Sequence, residues 1–152
     1  MSVAVTVVPY VLAFLTREKI VDGHVQQEVL LLYRTGTGFG NDHYSMPGGK
    51  VDVKESLLKA IIREVYEEVG VTVVPEDTQL SHVMHFQGAT KLCVAFVFTI
   101  NHWQGEPFNK EPEKHNHIKW FDVNDLPTTI LPRHGKMIQS IEQGLLYADE
   151  GL

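Results

Sequence analysis

The chain has 152 residues and a formal charge of −6, with 43% hydrophobic and 21% charged residues. That length predicts a single domain over 1–152, able to bury about 70% of its unfolded surface in one core. The composition excludes bulk disorder, and a lone cysteine, Cys93, excludes an internal disulfide scaffold and a four-thiolate zinc site.

The first apolar stretch, Val3 to Leu15, is interrupted by Thr6 and Pro9 and is too short to span a bilayer. No Lys or Arg precedes it, so it lacks the charged start of a secretory signal. With one cysteine, these features predict a cytoplasmic protein without a membrane partner. Val3 to Thr16 reads as a strand broken or bulged at Pro9, and Glu28 to Arg34 (EVLLLYR) as a buried strand. Thr35 to Gly49 is a glycine-punctuated loop ending in the tight turn Met46-Pro47-Gly48-Gly49.

Ser56 to Val69 carries the best helical pattern. At about 100° per residue, Leu58, Ile61, Ile62, Val65 and Val69 fall within an arc of roughly 100° and predict the core face. Glu64, Glu67 and Glu68 share a second arc, centred roughly 130° away, with Ala60 leaving room beside them. Glu55 stands at the helix start, where it can complete a capping box with Asp52, and Gly70 is a natural stop. Arg63 can hold a carboxylate by a forked hydrogen bond or make a plain surface ion pair.

Gln79 to Phe86 and Lys91 to Ile100 predict two strands around a turn at Gly88. Gly105 to Asn116 is a polar loop with two prolines, Ile118 to Val123 a short strand, and His134 to Ala148 a terminal helix. Trp120 and Phe121 read as core, and Cys93 as a small buried apolar residue. Eight histidines are scattered without the spacing of a helical zinc motif, and most read as surface or supporting groups. His82 and His85 should point to opposite faces of a strand, whereas His115 and His117 could share one. The order of elements predicts an α/β fold with a mixed sheet between helices.

The run GKVDVKESLLKAIIREVYEEVGV, from Gly49 to Val71, resembles the signature of the Nudix family. Gly49, Glu55, Arg63, Glu64, Val65, Glu67, Glu68, Gly70 and Val71 occupy every fixed position. LLLYRTGTGFGNDHYSMPGG before the box and WFDVNDLP after it resemble the family more weakly. The resemblance implies a Nudix-type α/β/α sandwich and hydrolysis of a nucleoside diphosphate linked to another moiety, a nucleoside triphosphate or similar small nucleotide.

A diphosphate and this acidic helix face repel. Two unit charges about 5 Å apart cost roughly 3 kcal/mol at an effective dielectric near 20, so a divalent cation must bridge them. Oxygen-only ligands favour Mg²⁺, with Mn²⁺ able to substitute. By the resemblance, Glu64, Glu67, Glu68 and the Gly49 carbonyl hold the metal, Glu67 and Glu68 being central to catalysis. Arg63 orients Glu55 or a ligand glutamate.

A general base comes from the box helix or from Glu111 or Glu113 in the loop KEPEK, whose plain role would be a solvated acidic loop. Arg34 is a candidate for substrate phosphate, and Phe39, Tyr44 and Phe86 for base stacking, although each also fits a surface or core role. The expected partner is a small nucleotide diphosphate derivative. The acidic balance disfavours nucleic acid, and oligomeric state is open, a homodimer included.

Three alternatives fit parts of the sequence. One is a Nudix-fold module that binds a nucleotide without cleaving it. Another is an acidic interaction domain, and the third an isomerase of isoprenoid diphosphates using Cys93.

Overall fold

A computed structural model describes residues 2–152. In chain order its elements are β1 (Val7–Val21), β2 (His24–Arg34), β3 (Tyr44–Ser45), β4 (Gly48–Lys50), α1 (Leu57–Val69), β5 (Thr78–Gln87), β6 (Leu92–Ile100), β7 (His115–Asp122), α2 (Pro132–Glu142) and β8 (Tyr147–Glu150). The sheet runs β3-β2-β1-β6-β5-β8, with β4 added beside β1 and β7 beside β2. β1 pairs with β6 in parallel, as β8 does with β5, and the other pairings are antiparallel. This is the expected mixed sheet.

Strand alternation divides the interior into two layers. Val11, Ala13 and Leu15 of β1, Leu30 and Leu32 of β2, and Phe98 and Ile100 of β6 pack against α1. Leu12, Phe14, Val29, Leu31, Ala95 and Val97 face the other way, onto Met137 and Ile138 of α2. Both sheet faces are thus covered, which makes an α/β/α sandwich. No helix among the described residues is long and apolar enough to cross a membrane.

Several expectations are corrected. β1 begins at Val7, with Val3 and Val5 exposed, and Pro9 sits in unbroken register with Val94. The strand continues to Val21 and returns through a two-residue turn in which Asp22 and Gly23 both take positive φ, 49° and 78°. That is the primed hairpin geometry, and Asp-Gly between strand-like runs is its sequence signal.

The terminal helix stops at Glu142 rather than Ala148. Gly144, at φ +72°, turns the chain, and Tyr147–Glu150 become a strand on the edge beside β5. His82 is fully buried, with Nδ1 2.8 Å from the Leu145 carbonyl.

α1 spans the expected residues, but its core face is rotated. Leu58 is 40% exposed, whereas Ala60 and Ile61 are fully buried. The buried arc is displaced by about 60° toward the glutamates, which carries Glu68 (7% exposed) under the helix.

Candidate functional site

The site begins where β4 lies against β1. Gly48 pairs with Leu12 and Gly49 with Val11, and the Ala13 N–H donates to the Pro47 carbonyl (2.8 Å). A Cβ on Gly48 would collide with the Val11 carbonyl, and one on Gly49 would lie 2.5 Å from Glu64 Oε1. Glycine here lets backbone and carboxylate approach each other.

The chain then enters α1 through two interlocked caps. The Asp52 N–H donates to Glu55 Oε1 (3.0 Å), and the Lys59 N–H donates to Ser56 Oγ (3.1 Å). Ser56 is therefore the helix cap, and Glu55 accepts from Arg63 as well as from the Asp52 backbone. The guanidinium grips Glu55 with a fork, Nε to Oε2 at 2.7 Å and Nη2 to Oε1 at 2.9 Å. Its Nη1 also donates to Glu64 Oε1 (3.0 Å) and Glu67 Oε2 (3.3 Å). Arg63 pulls the Glu55 carboxyl down to about 2, chiefly by hydrogen bonding, and is itself held protonated by these acids.

Glu64 and Glu68 turn into a cleft of about 370 Å³. Gly36, Thr37, Gly48, Gly49, Arg34, Lys114 and His115 form the rest of its wall. Burial, then repulsion from Glu64, raises the Glu68 carboxyl well above the ordinary range. Its nearest protein donor is the Gly48 N–H, at 3.4 Å. Glu67 instead lies outward, nearly half exposed, on Arg63.

Among the described residues no three acidic, histidine or cysteine side chains stand ready as a metal cluster. The donor set still fits a hard divalent cation. Two adjacent carboxylates, one of them desolvated with almost no donor, face the cradle left open by Gly49.

A larger, more apolar cavity of about 660 Å³ adjoins this cleft and shares Arg34, Gly48 and Gly49 with it. Leu12, Met46, Phe86, Cys93, Ala95 and Met137 supply much of its wall. Arg34 joins the two spaces. Its Nε donates to the Phe39 carbonyl (2.9 Å), and it has no carboxylate within ion-pair range among the described residues. Phe39 lines the larger cavity with its ring largely exposed.

Tyr44 lines neither space. It packs edge-on against Tyr33 and Phe121, with its hydroxyl 2.7 Å from His117 Nε2. Glu113 is exposed and also lines neither space. Glu111 is half-buried, pairs with Lys114 at 3.1 Å, and its charge raises the Glu68 carboxyl.

Sequence reasoning missed the far side of this site. Burial, and then Arg34, lower the His115 imidazole to about 4. His134, on the first turn of α2, accepts the Met46 N–H at Nδ1 (3.0 Å) and is lowered to about 3 by burial, then by Arg34 and Arg133. Arg133 and Glu150 join the wall of the larger cavity. Lys50, directly after the glycine pair, was legible as a basic residue beside the turn, but nothing local marks Glu150.

Comparison with known proteins places this constellation among relatives. The model of the NUDIX domain matches residues 8–141. An 8-oxo-dGTP diphosphatase of Haemophilus influenzae is 31% identical over 63% of this chain and 71% of its own length. Another, from Escherichia coli, is 25% identical over 72% and 85%. The crystal structure of a MutT NUDIX hydrolase from Burkholderia pseudomallei superposes with a TM-score of 0.68 at 28% identity, covering 86% of this chain and 96% of that one.

Proposed function

The chain belongs to the NUDIX domain family, and from that premise we propose that it is a nucleotide pyrophosphohydrolase that cleaves a nucleoside triphosphate with a divalent metal. The observation that carries the reading is the junction of an apolar cavity with a charged cleft across Gly48, Gly49 and Arg34. Base and sugar suit the first. The phosphates suit the second, whose wall Glu64 and Glu68 share with Arg34 and Lys114. Similarity to 8-oxo-dGTP diphosphatases makes an oxidised guanine nucleotide the first substrate to try.

Glu64, Glu68 and the Gly49 carbonyl would hold Mg²⁺, or Mn²⁺ in its place, with Glu67 beside them. When bound, the ion would neutralise phosphate charge and lower the pKa of water. The protein's own groups do the rest. Arg63 fixes Glu55, Glu64 and Glu67, and Arg34 faces the phosphates. Water forms the new P–O bond, its proton passes to a base, and the anhydride P–O bond breaks so that nucleoside monophosphate and pyrophosphate separate. Of the two loop acids, Glu111 is the better base, because it is half-buried and paired with Lys114 of the cleft wall, whereas Glu113 is exposed. A single domain in a cytoplasmic setting, monomeric or homodimeric, completes the proposal.

The test is a product assay across nucleotides, nucleotide sugars and dinucleoside polyphosphates in ¹⁸O-labelled water. Mg²⁺-dependent release of a nucleoside monophosphate is expected. No turnover on the whole panel with either Mg²⁺ or Mn²⁺ would overturn the assignment.

A further inference from the structure

We propose that Arg133 and Glu150 form the base-reading end of the apolar cavity and select a guanine-type base. The inference rests on the nucleotide reading above and adds the groups that discriminate.

Glu150 is the sole carboxylate lining that cavity among the described residues. It enters on β8, which lies beyond β1, β6 and β5 from the glycine turn of β4. Four strand spacings make roughly 19 Å of sheet between the phosphate end and this one. A nucleotide lying across the sheet would therefore present its base to β8.

The pair is built in place. Arg133 lies over the Phe86 ring, its guanidinium carbon 4.1 Å from the centroid, and its Nε donates to Glu150 Oε1 (3.1 Å). Lys136 donates to Glu150 Oε2 (2.8 Å). Lys136 and Arg133 hold the Glu150 carboxyl below its ordinary range, so it is an acceptor at neutral pH. The terminal nitrogens of Arg133 make no hydrogen bond to protein among the described residues and remain donors. One edge of the cavity thus offers a donor beside two acceptor oxygens.

The Watson–Crick edge of guanine offers the complement: the O6 acceptor, then N1–H and the N2 amino group as donors. Oxidation at C8 leaves that edge unchanged. Adenine offers an amino donor and a ring-nitrogen acceptor, which leaves one carboxylate oxygen against a lone pair or a C–H. Uracil and thymine set a carbonyl on either side of their only N–H, and each repels the carboxylate. A site built to pair polar groups discriminates by leaving them unpaired with the wrong ligand.

Two measurements decide it. The first is the ratio of kcat/KM for dGTP to that for dATP. The second is the ratio of binding constants for dGMP and dAMP, which needs no turnover. Glu150→Gln should lower both ratios by about 10- to 100-fold, because the amide opposes a donor to a donor. Asp149→Asn removes the neighbouring charge of β8, which is exposed and outside the cavity, and should leave both ratios unchanged.

The proposal is overturned if wild-type protein binds dGMP no better than dAMP or if Glu150→Gln keeps the ratios. It is equally overturned if Asp149→Asn lowers them as much, since the ratios would then follow the charge of β8 rather than the carboxylate in the cavity. Absence of turnover with selective dGMP binding would sink the hydrolase reading while sparing this one.

Discussion

The two helices cover opposite faces of one sheet, yet they hold their functional side chains in different ways. α1 is closed by the Ser56 cap and by Gly70 in the left-handed conformation, and its ionic partners are near in sequence. Arg63 binds Glu55 eight residues away and Glu67 one turn away. α2 has no side-chain cap, and its partners are distant. His134 meets the backbone of Met46 across 88 positions, and Arg133 meets Glu150 across 17. A group whose partners lie within a turn or two can be fixed by local geometry alone. A group whose partners arrive from another strand is fixed only once the sheet has assembled.

The sharpest way to test that contrast is to remove the chemistry from α1. Glu68→Gln should lower kcat by about 10²-fold or more while the far-UV spectrum stays native. Near-normal activity would show that the cleft side of α1 is not the reacting side.

Arg63→Lys should follow with a loss of about 10- to 100-fold, because an ammonium cannot fork onto Glu55 while also reaching Glu64 and Glu67. Steady-state kinetics would detect it, and wild-type kcat in the lysine variant would make the clamp dispensable.

Ser56→Ala should cost about 1 kcal/mol, a fall in Tm of about 2–4 °C for a chain of this size. An unchanged Tm would mean that α1 owes its start to packing rather than to its cap.

On α2 the test is pH. His134 takes up a proton near 6.5 when unfolded but only near 3 when folded, so its contribution is complete above pH ~6.5 and is lost as pH falls toward 3. Between about pH 7 and 5, where most carboxylates keep their charge, wild-type Tm should drop more than that of His134→Asn. Parallel curves would assign the sensitivity elsewhere. The smallest effect belongs to Leu58→Gln, within about 0.5 kcal/mol by denaturant unfolding, because that side chain is exposed rather than in the core.

The same contrast explains what could be read in advance. The carboxylate and arginine spacing of α1 was legible because it repeats with the helical turn, and so was the glycine turn that approaches it. The angle at which α1 docks was not. Apolar periodicity centred the core on Leu58 and Val65; the sheet keeps Val65 but takes in Ala60 and Glu68 in place of Leu58, since a small side chain and a glycine cradle let the helix roll toward its acids. Tyr44 shows the converse, for nothing in its neighbourhood reveals that Tyr33, His117 and Phe121 enclose it. The helical reading runs on over Tyr147 and Ala148, the first half of β8, because so short a strand carries too little pattern to outweigh the preceding helical run, and its pairing with β5 is non-local.

The Asp22–Gly23 turn has a practical use. It caps a two-stranded arm on which Ile20 and Val25 remain exposed, and no atom packs within 4 Å of a Cβ built on Gly23. Neither residue borders the cleft or the cavity. A short epitope or a fluorophore spliced into that tip should leave turnover intact, giving experimenters a handle for immobilising the protein or following nucleotide capture by light.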